Sequence, residues 1–332
     1  MTTSWLITGG CGFIGTNLIG RLMTEEGHAI RVIDNLSVGT LEDLGSVINV
    51  TEMDVSDKNP LPAPQFGQCQ LVRGDIIDAD LALIVTKDID IIVHLAANTG
   101  VGPSVEDPRL DCLVNVIGTF NYLEAARLNK VSRFIFASSG APVGEAEPPI
   151  HEELAAHPVS PYGASKLAGE GYCSAYNRTF GIQTIALRFG NVYGPGSTHK
   201  SSVVAKFIKQ ALDNLPLEIY GDGTQTRDFI YIDDLIDAVM RSAIVNNIGG
   251  EVFQIATSKE TTVQEMTEQL CGVLAERGIR DVVILNRKTR LGDVKRNYSD
   301  TSKAQKYLGW TVRFQLEEGL DETVSYFLTK QR

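Results

Sequence analysis

Residues 8–15 read Thr8-Gly9-Gly10-Cys11-Gly12-Phe13-Ile14-Gly15, between a short apolar run at 5–8 and an amphipathic stretch that reads as a helix over 13–26. Glycines at Gly9, Gly12 and Gly15 on a strand-to-helix turn permit a tight bend and let the backbone approach a pyrophosphate. The helix N-terminus adds N–H groups and the positive end of a dipole. About twenty residues further on, where such folds place an acid on the adenosine ribose, the next apolar run (29–33) ends in Asp34. A carboxylate there would repel a 2′-phosphate, and Asn35-Leu36-Ser37-Val38-Gly39 brings no arginine to reverse that preference. The expected cofactor is therefore NAD, held by Gly9, Gly12, Phe13, Ile14, Gly15, Asp34, Asn35, Ser37 and Gly39.

Outward from this turn, short branched runs at 5–8, 29–33, 70–72, 91–94, 134–137 and 184–187 alternate with helical patterns at 13–26, 108–128 and 161–179. That alternation predicts βαβ units and a parallel sheet. After Asn191 the texture loosens around Gly194-Pro195-Gly196, then offers helices at 203–214, 235–244, 263–277 and 316–328 and strands at 229–232 and 252–255. The expected fold class is α/β, a doubly wound parallel sheet with a smaller α/β substrate-binding lobe. The dinucleotide part is placed at 1–190 with about 226–248, and the lobe at 191–225 and 249–332.

With 332 residues, 43% of them hydrophobic, the chain has material for a large core. Its net charge of −11 argues against nucleic acid or an anionic membrane as partner, because both require a basic surface. An anionic substrate must then be gripped by a few local arginines. Cys11, Cys69, Cys112, Cys173 and Cys271 form no CxxC pair, which suits a reducing cytoplasm, and no metal site is expected. Neither a signal-peptide pattern nor a membrane-spanning apolar run is present.

Tyr162-Gly163-Ala164-Ser165-Lys166 opens the helix at 161–179, and i, i+4 spacing puts tyrosine and lysine on one face. A free phenol titrates near ~10, so a neighbouring ammonium and a positive nicotinamide are needed to favour phenolate. Tyr162 then serves as the base for a hydroxyl proton and Lys166 as its supporting cation. The strand at 134–137 ends in Ser138-Ser139, and the Ser139 hydroxyl can bridge substrate and phenol.

Taken in order, these motifs resemble the extended short-chain dehydrogenases/reductases, whose sheet is of the Rossmann type. Gly74-Asp75-Ile76 and His94-Leu95-Ala96-Ala97 are similar to that family's adenine-facing and dinucleotide-lining turns. The resemblance assigns Asp75, Ile76, Leu95, Ala96, Ala97, Ser138, Tyr162, Lys166 and Phe189 to the cofactor; His94 reads as a packed structural residue. Arg188-Phe189-Gly190-Asn191-Val192-Tyr193-Gly194-Pro195, Ile219-Tyr220-Gly221-Asp222-Gly223 with Arg227, and Arg290-Leu291-Gly292-Asp293 resemble stretches of the UDP-hexose 4-epimerases. That implies a UDP-sugar held by Ser139, Tyr162, Asn191, Ser202, Val203, Leu217, Ile219, Tyr220, Arg227, Arg290, Asp293 and Asn297. It also implies a homodimer paired through helices near 108–128 and 161–179.

Related dehydratases and decarboxylases carry acids at the catalytic turn, whereas this chain has Ser139-Gly140-Ala141. Oxidation at carbon 4 followed by reduction is what remains: inversion of a UDP-hexose through a 4-keto sugar. Asn297 falls where the family places a gate beside carbon 2, and its small side chain implies that N-acetylhexosamines are tolerated. A UDP-uronic acid epimerase is the rival, with Thr198, His199 or Lys200 facing the carboxylate. A cofactor-sensing regulator without catalysis is disfavoured because Tyr162 and Lys166 are both present.

Overall fold

The computed structural model describes residues 2–56, 60–288 and 294–330. The chain separates into two units: 1–145 with 154–188 and 238–253, and 146–153 with 189–237 and 254–332. The stretch 226–237 thus groups with the second unit and 238–253 with the first.

In the first unit seven strands appear in chain order: β1 (Thr3–Thr8), β2 (His28–Asp34), β3 (Val50–Glu52), β4 (Cys69–Arg73), β5 (Ile91–His94), β6 (Arg133–Ser139) and β7 (Gln183–Phe189). With Glu251–Ile255 they form an eight-stranded sheet, ordered Glu251–Ile255, β7, β6, β5, β1, β2, β4, β3. The ladders are parallel: Trp5 lies opposite Ile30 of β2 and Ile91 of β5, and Ile92 opposite Phe134 of β6. Helices cover both faces, so these strands are continuous apolar runs rather than alternating ones, as in β6, buried at every position except Ser139. The chain leaves β1 toward β2 on one side and returns at β5 on the other, which makes the ends of β1, β2 and β5 the switch point where such sheets take ligands.

Arg31 is the polar exception within β2. It is fully buried and spends its donors on Gln70 Oε1 (2.8 Å), the carbonyls of Val85 (2.8 Å) and Lys87 (2.9 Å), and that of Pro62 (2.8 Å), tying a helix end and the 60–64 loop to the sheet. Burial lowers its pKa to about 10, so it keeps its charge.

The stretch 108–128, expected as one helix, instead runs as Pro108–Asp111, a π-helical segment Cys112–Gly118, and Thr119–Leu128. The widened turn carries Asn115. Its amide accepts from Asn98 N (2.8 Å) and donates to Asn98 O (2.9 Å), Asp111 Oδ1 (2.8 Å) and Ser165 Oγ (3.2 Å). Insertions of this kind often sit at functional sites.

The second unit pairs Asn191–Tyr193 with Phe229–Tyr231 and Leu217–Tyr220 with Ile284–Arg287 in parallel, and Thr226–Arg227 with Thr261–Thr262 antiparallel. Helix Val263–Glu276 starts on a capping box of Thr262 and Glu265. The tail is fixed by Asp234, whose backbone oxygen accepts from Trp310 Nε1 (2.8 Å) and whose carboxylate accepts from Arg313 N (3.0 Å) and Phe314 N (3.1 Å). Among the described residues no helix is long and apolar enough to cross a membrane.

Candidate active site

The glycine turn forms a cradle that side chains would fill. Gly9 has φ +71°, and a Cβ there would stand 2.9 Å from Ala96 N; one on Gly15 would stand 2.6 Å from both Gly10 Cα and Gly9 O. A Cβ on Gly39 would collide with the Cys11 carbonyl, so the loop after β2 lies against the glycine turn. Gly12 caps helix Phe13–Met23 in extended conformation with no side-chain cap, which leaves its N-terminus for an anion. These features fit the pyrophosphate of a dinucleotide.

Asp34, at the end of β2, accepts from Cys11 N (2.9 Å) and Leu36 N (2.8 Å). Burial pushes its pKa up, and those two amides oppose the shift. The carboxylate therefore holds the glycine turn while presenting an acid at the ribose position. Asp34→Ala is expected to weaken NAD binding roughly tenfold to a hundredfold, the loss of a charge-assisted hydrogen bond, and to narrow the preference over NADP. Calorimetric titration with both nucleotides checks this, and an unchanged Kd for NAD would contradict it.

Beyond Asp34, Asn35 Nδ2 donates to Asp75 Oδ2 (3.0 Å), and Asn35 Oδ1 receives Ser37 N (3.0 Å). Asn121 Nδ2 holds the Ile76 carbonyl (3.1 Å). Leu95 N donates to Thr8 O (3.2 Å) and Ala96 N to Thr8 Oγ1 (3.1 Å), so the Leu95-Ala96-Ala97 turn is fastened to β1 beside Gly9. His94 is fully buried among Tyr122, Phe134 and Phe136, bonded to Thr8 Oγ1 (3.0 Å) and Thr119 Oγ1 (3.2 Å). Burial, then the charge of Lys166, lowers its pKa from 6.5 to about 3. A folded-state pKa below the unfolded one gives stability that is full above about 6.5 and is lost as pH falls toward about 3. Thermal melts across that window should slope less steeply for His94→Asn than for the parent; parallel slopes would contradict the assignment.

The catalytic side chains come from β6 and helix Pro161–Phe180. Ser160 caps that helix by accepting from Gly163 N (3.1 Å), with Pro161 preset at its first turn. Two glycines bring the helix close to β6: a Cβ on Gly163 would stand 2.6 Å from Ala141 O, and one on Gly169 would strike the Phe136 ring. Lys166 therefore reaches in, donating to Ala137 O (2.9 Å) with its ammonium 4.9 Å from the Phe136 ring centre and 5.9 Å from that of Tyr162. Burial pushes the Tyr162 phenol up to about 12, against the hydrogen bond from Ser139 and with the charge of Asp111. Burial brings Lys166 down to about 8, opposed by Asp111 and Glu170. Ser138 turns away from Ser139, its hydroxyl donating to Glu170 (2.6 Å). Sequence reasoning missed Asp111, Asn115 and Glu170 and gave Arg188, the first residue of the quoted 188–195 stretch, no role; of the three, only Glu170 was signalled, by the i, i+4 repeat Tyr162-Lys166-Glu170.

In the second unit Thr226-Arg227-Asp228 is a hub. Asn191 N donates to Asp228 O (2.8 Å), Asn297 N to Thr226 Oγ1 (3.1 Å) and Ser299 N to Asp228 Oδ2 (3.2 Å). Arg227 Nη1 donates to the carbonyls of Thr226 (2.6 Å) and Val294 (2.7 Å). Asn191, Arg227 and Asn297 are thus gathered around one short segment. Ser202 caps helix Val203–Leu212 without a side-chain bond. Leu217 and Ile219 bury their side chains, and Leu217 N donates to Val283 O (2.8 Å) in the ladder with Ile284–Arg287, while Tyr220 is half-buried with Lys206 5.1 Å from its ring centre. Lys209 holds the carbonyls of Thr198 (3.1 Å) and Lys200 (2.8 Å). Arg290 and Asp293 lie outside the described residues, and Phe189 ends β7.

A glycine cradle at a sheet switch point, an acid after β2 and a Ser-Tyr-Lys group on β6 and the following helix define an NAD-dependent short-chain dehydrogenase/reductase. Residues 5–256 match the NAD dependent epimerase/dehydratase family, and the chain belongs to it. A UDP-glucose 4-epimerase of Mycolicibacterium smegmatis is 36% identical over 98% of this chain and 99% of its own. Among solved structures, a UDP-N-acetylglucosamine 4-epimerase from Methanobrevibacter ruminantium in complex with UDP-N-acetylmuramic acid superposes with TM-score 0.86 and 31% identity, covering 99% of this chain and 100% of that one. A UDP-glucuronic acid 4-epimerase from Bacillus cereus in complex with UDP-glucuronic acid and NAD gives TM-score 0.84 and 30% identity, with the same coverage.

Proposed function

We propose that the protein is an NAD-dependent isomerase that inverts carbon 4 of a UDP-hexose, interconverting UDP-glucose and UDP-galactose and accepting their N-acetylated counterparts. The observation that carries this reading is the catalytic turn itself: Lys166, one turn after Tyr162, donates to the Ala137 carbonyl (2.9 Å) at the end of β6, and Ser139 is followed by Gly140 and Ala141 with no acid to drive elimination or decarboxylation. Bound NAD supplies the capacity to take hydride from carbon 4 and return it. Tyr162 receives the proton of the carbon 4 hydroxyl as that carbon is oxidised, and gives it back on reduction. Ser139 orients the hydroxyl toward the phenol, and Lys166 supplies the positive charge that a phenol raised by burial requires. Arg227 and Asn191, with Arg290 and Asp293, grip the nucleotide so that the 4-keto sugar turns over without leaving.

Two further expectations accompany this reading. Val101, Val105, Leu110, Leu113 and Ile117 are exposed apolar residues on the helical stretch from 101 to 118, and Tyr172 and Phe180 are exposed on Pro161–Phe180, which suits pairing with a second copy. The five cysteines are unpaired, as suits a reducing cytoplasm.

The test is a panel of UDP-hexoses, UDP-N-acetylhexosamines and UDP-uronic acids, with the stereochemistry at carbon 4 read by NMR. Conversion of UDP-glucose and UDP-N-acetylglucosamine is expected. Turnover of UDP-glucose with UDP-N-acetylglucosamine inert would remove the role given to Asn297, and turnover of UDP-glucuronic acid alone would transfer the reading to uronic acids.

A further inference from the structure

Helix Pro161–Phe180 carries Tyr162, Lys166 and Glu170 at successive four-residue steps, hence on one face. β6 ends in Ala137, Ser138 and Ser139, and the first two are bound by that face. Lys166 Nζ donates to the Ala137 carbonyl (2.9 Å) and the Ser138 hydroxyl donates to Glu170 (2.6 Å), with Ser139 next in the chain. Glu170 is held in turn by Arg188 of β7, whose Nε and Nη2 each lie 2.8 Å from a carboxylate oxygen. Glu170 and Arg188 are only 5% and 4% exposed.

A buried ion pair is a poor device for stability alone, because apolar residues of similar volume usually serve as well or better. The proposed chemistry uses neither residue directly. What the pair does in the structure is fix Ser138. We infer that Glu170, kept in place by Arg188, is a positioning residue whose hold on Ser138 sets the register of the β6 end against the helix, and through it the placement of Lys166 and Ser139 beside Tyr162. This rests on the roles given above to Ser139, Tyr162 and Lys166.

The charged and titratable groups around Lys166 are Asp111 from Pro108–Asp111, Glu170, Cys173 and Tyr162 from its own helix, and His94 from β5. Removing the Glu170 charge leaves Arg188 uncompensated, and both changes disfavour the Lys166 ammonium.

The experiment uses the full chain with bound NAD and whichever UDP-sugar the parent turns over. For Glu170→Gln we expect the alkaline limb of the kcat profile to move down by about one pH unit, and kcat to fall about 10²-fold, the scale of a 1 Å misplacement. KM should stay within about twofold. Glu170→Leu/Arg188→Met removes both charges and should regain most of the Tm while kcat stays low. Recovery of kcat together with Tm, or an alkaline limb that does not move, overturns the inference. Crystal structures of the two variants decide the matter without substrate: we expect the Lys166 to Ala137 hydrogen bond to be lost and Ser139 displaced from Tyr162. Unchanged geometry at both overturns it. A parent inactive on every UDP-sugar would count against the functional reading and leave the crystal structures to judge this one.

Discussion

Replacing Tyr162 by Phe is expected to lower kcat by a factor of about 10² to 10⁴, the range carried by one positioned proton-transfer group, with little change in KM. The ring is retained, so packing against β6 and the cation above it survive, and only the oxygen that exchanges a proton with the sugar is lost. Tm and NAD content should match the parent. The expected pH response follows from burial, which pushes the phenol up to about 12 and Lys166 down to about 8. In the protein alone the neutral phenol and the ammonium are the populated forms near neutral pH. Raising the pH through the Lys166 transition removes the cation before it ionises the phenol, so kcat should decline on the alkaline side. Full activity in Tyr162→Phe would refute the mechanism.

Gly15→Val is expected to abolish NAD retention and to cost at least about 2 kcal/mol of stability, the scale of overpacking in a close-packed region. The neighbours are what make it severe. A Cβ at Gly15 lies 2.6 Å from Gly10 Cα and Gly9 O, and these are backbone atoms that cannot rotate aside. Gly272 is the control: it sits in Val263–Glu276 with nothing within 4 Å, so Gly272→Ala should be neutral or stabilising by up to about 1 kcal/mol. Tm and the NAD absorbance of the purified protein measure both, and a Gly15→Val protein that still carried cofactor would contradict the cradle.

The sheet was legible because strands buried on both faces write themselves as unbroken apolar runs, as 134–137 and 91–94 do. Short and exposed elements were not. Ile284–Arg287 is exposed at every position and only four residues long; its apolar start, Val282-Val283-Ile284-Leu285, is an apolar run that was passed over. Asn191–Tyr193 is three residues long, too brief for any period. The π-helical turn at Cys112–Gly118 escaped because what distinguishes it is a tertiary contact, the Asn115 amide meeting the backbone of Asn98 across 17 positions. Within the site, Gly9, Asp34, Tyr162 and Lys166 stand at fixed offsets within their own elements, so spacing alone suggests them. Glu170 on the helix and Arg188 on β7 meet only where helix and sheet pack, across 18 residues of sequence, and nothing in local spacing announces that. Gly163 and Gly169 in the catalytic helix are explained only by the fold, through the closeness of Ala141 and Phe136.

The interleaving of the two units has a consequence for how the chain matures. The first unit takes Ala238–Phe253 as its last segment, and that segment includes most of the strand beside β7. A nascent chain therefore emerges from the ribosome with β7 as an open sheet edge while the next 50 or so residues, nearly all of the other unit's central segment, are still being made. Fragments ending near Arg188 would carry the whole dinucleotide motif and the Ser-Tyr-Lys group yet leave that edge bare, prone to pairing with other chains. The sheet is thus completed late in synthesis, and its closing strand is supplied from downstream.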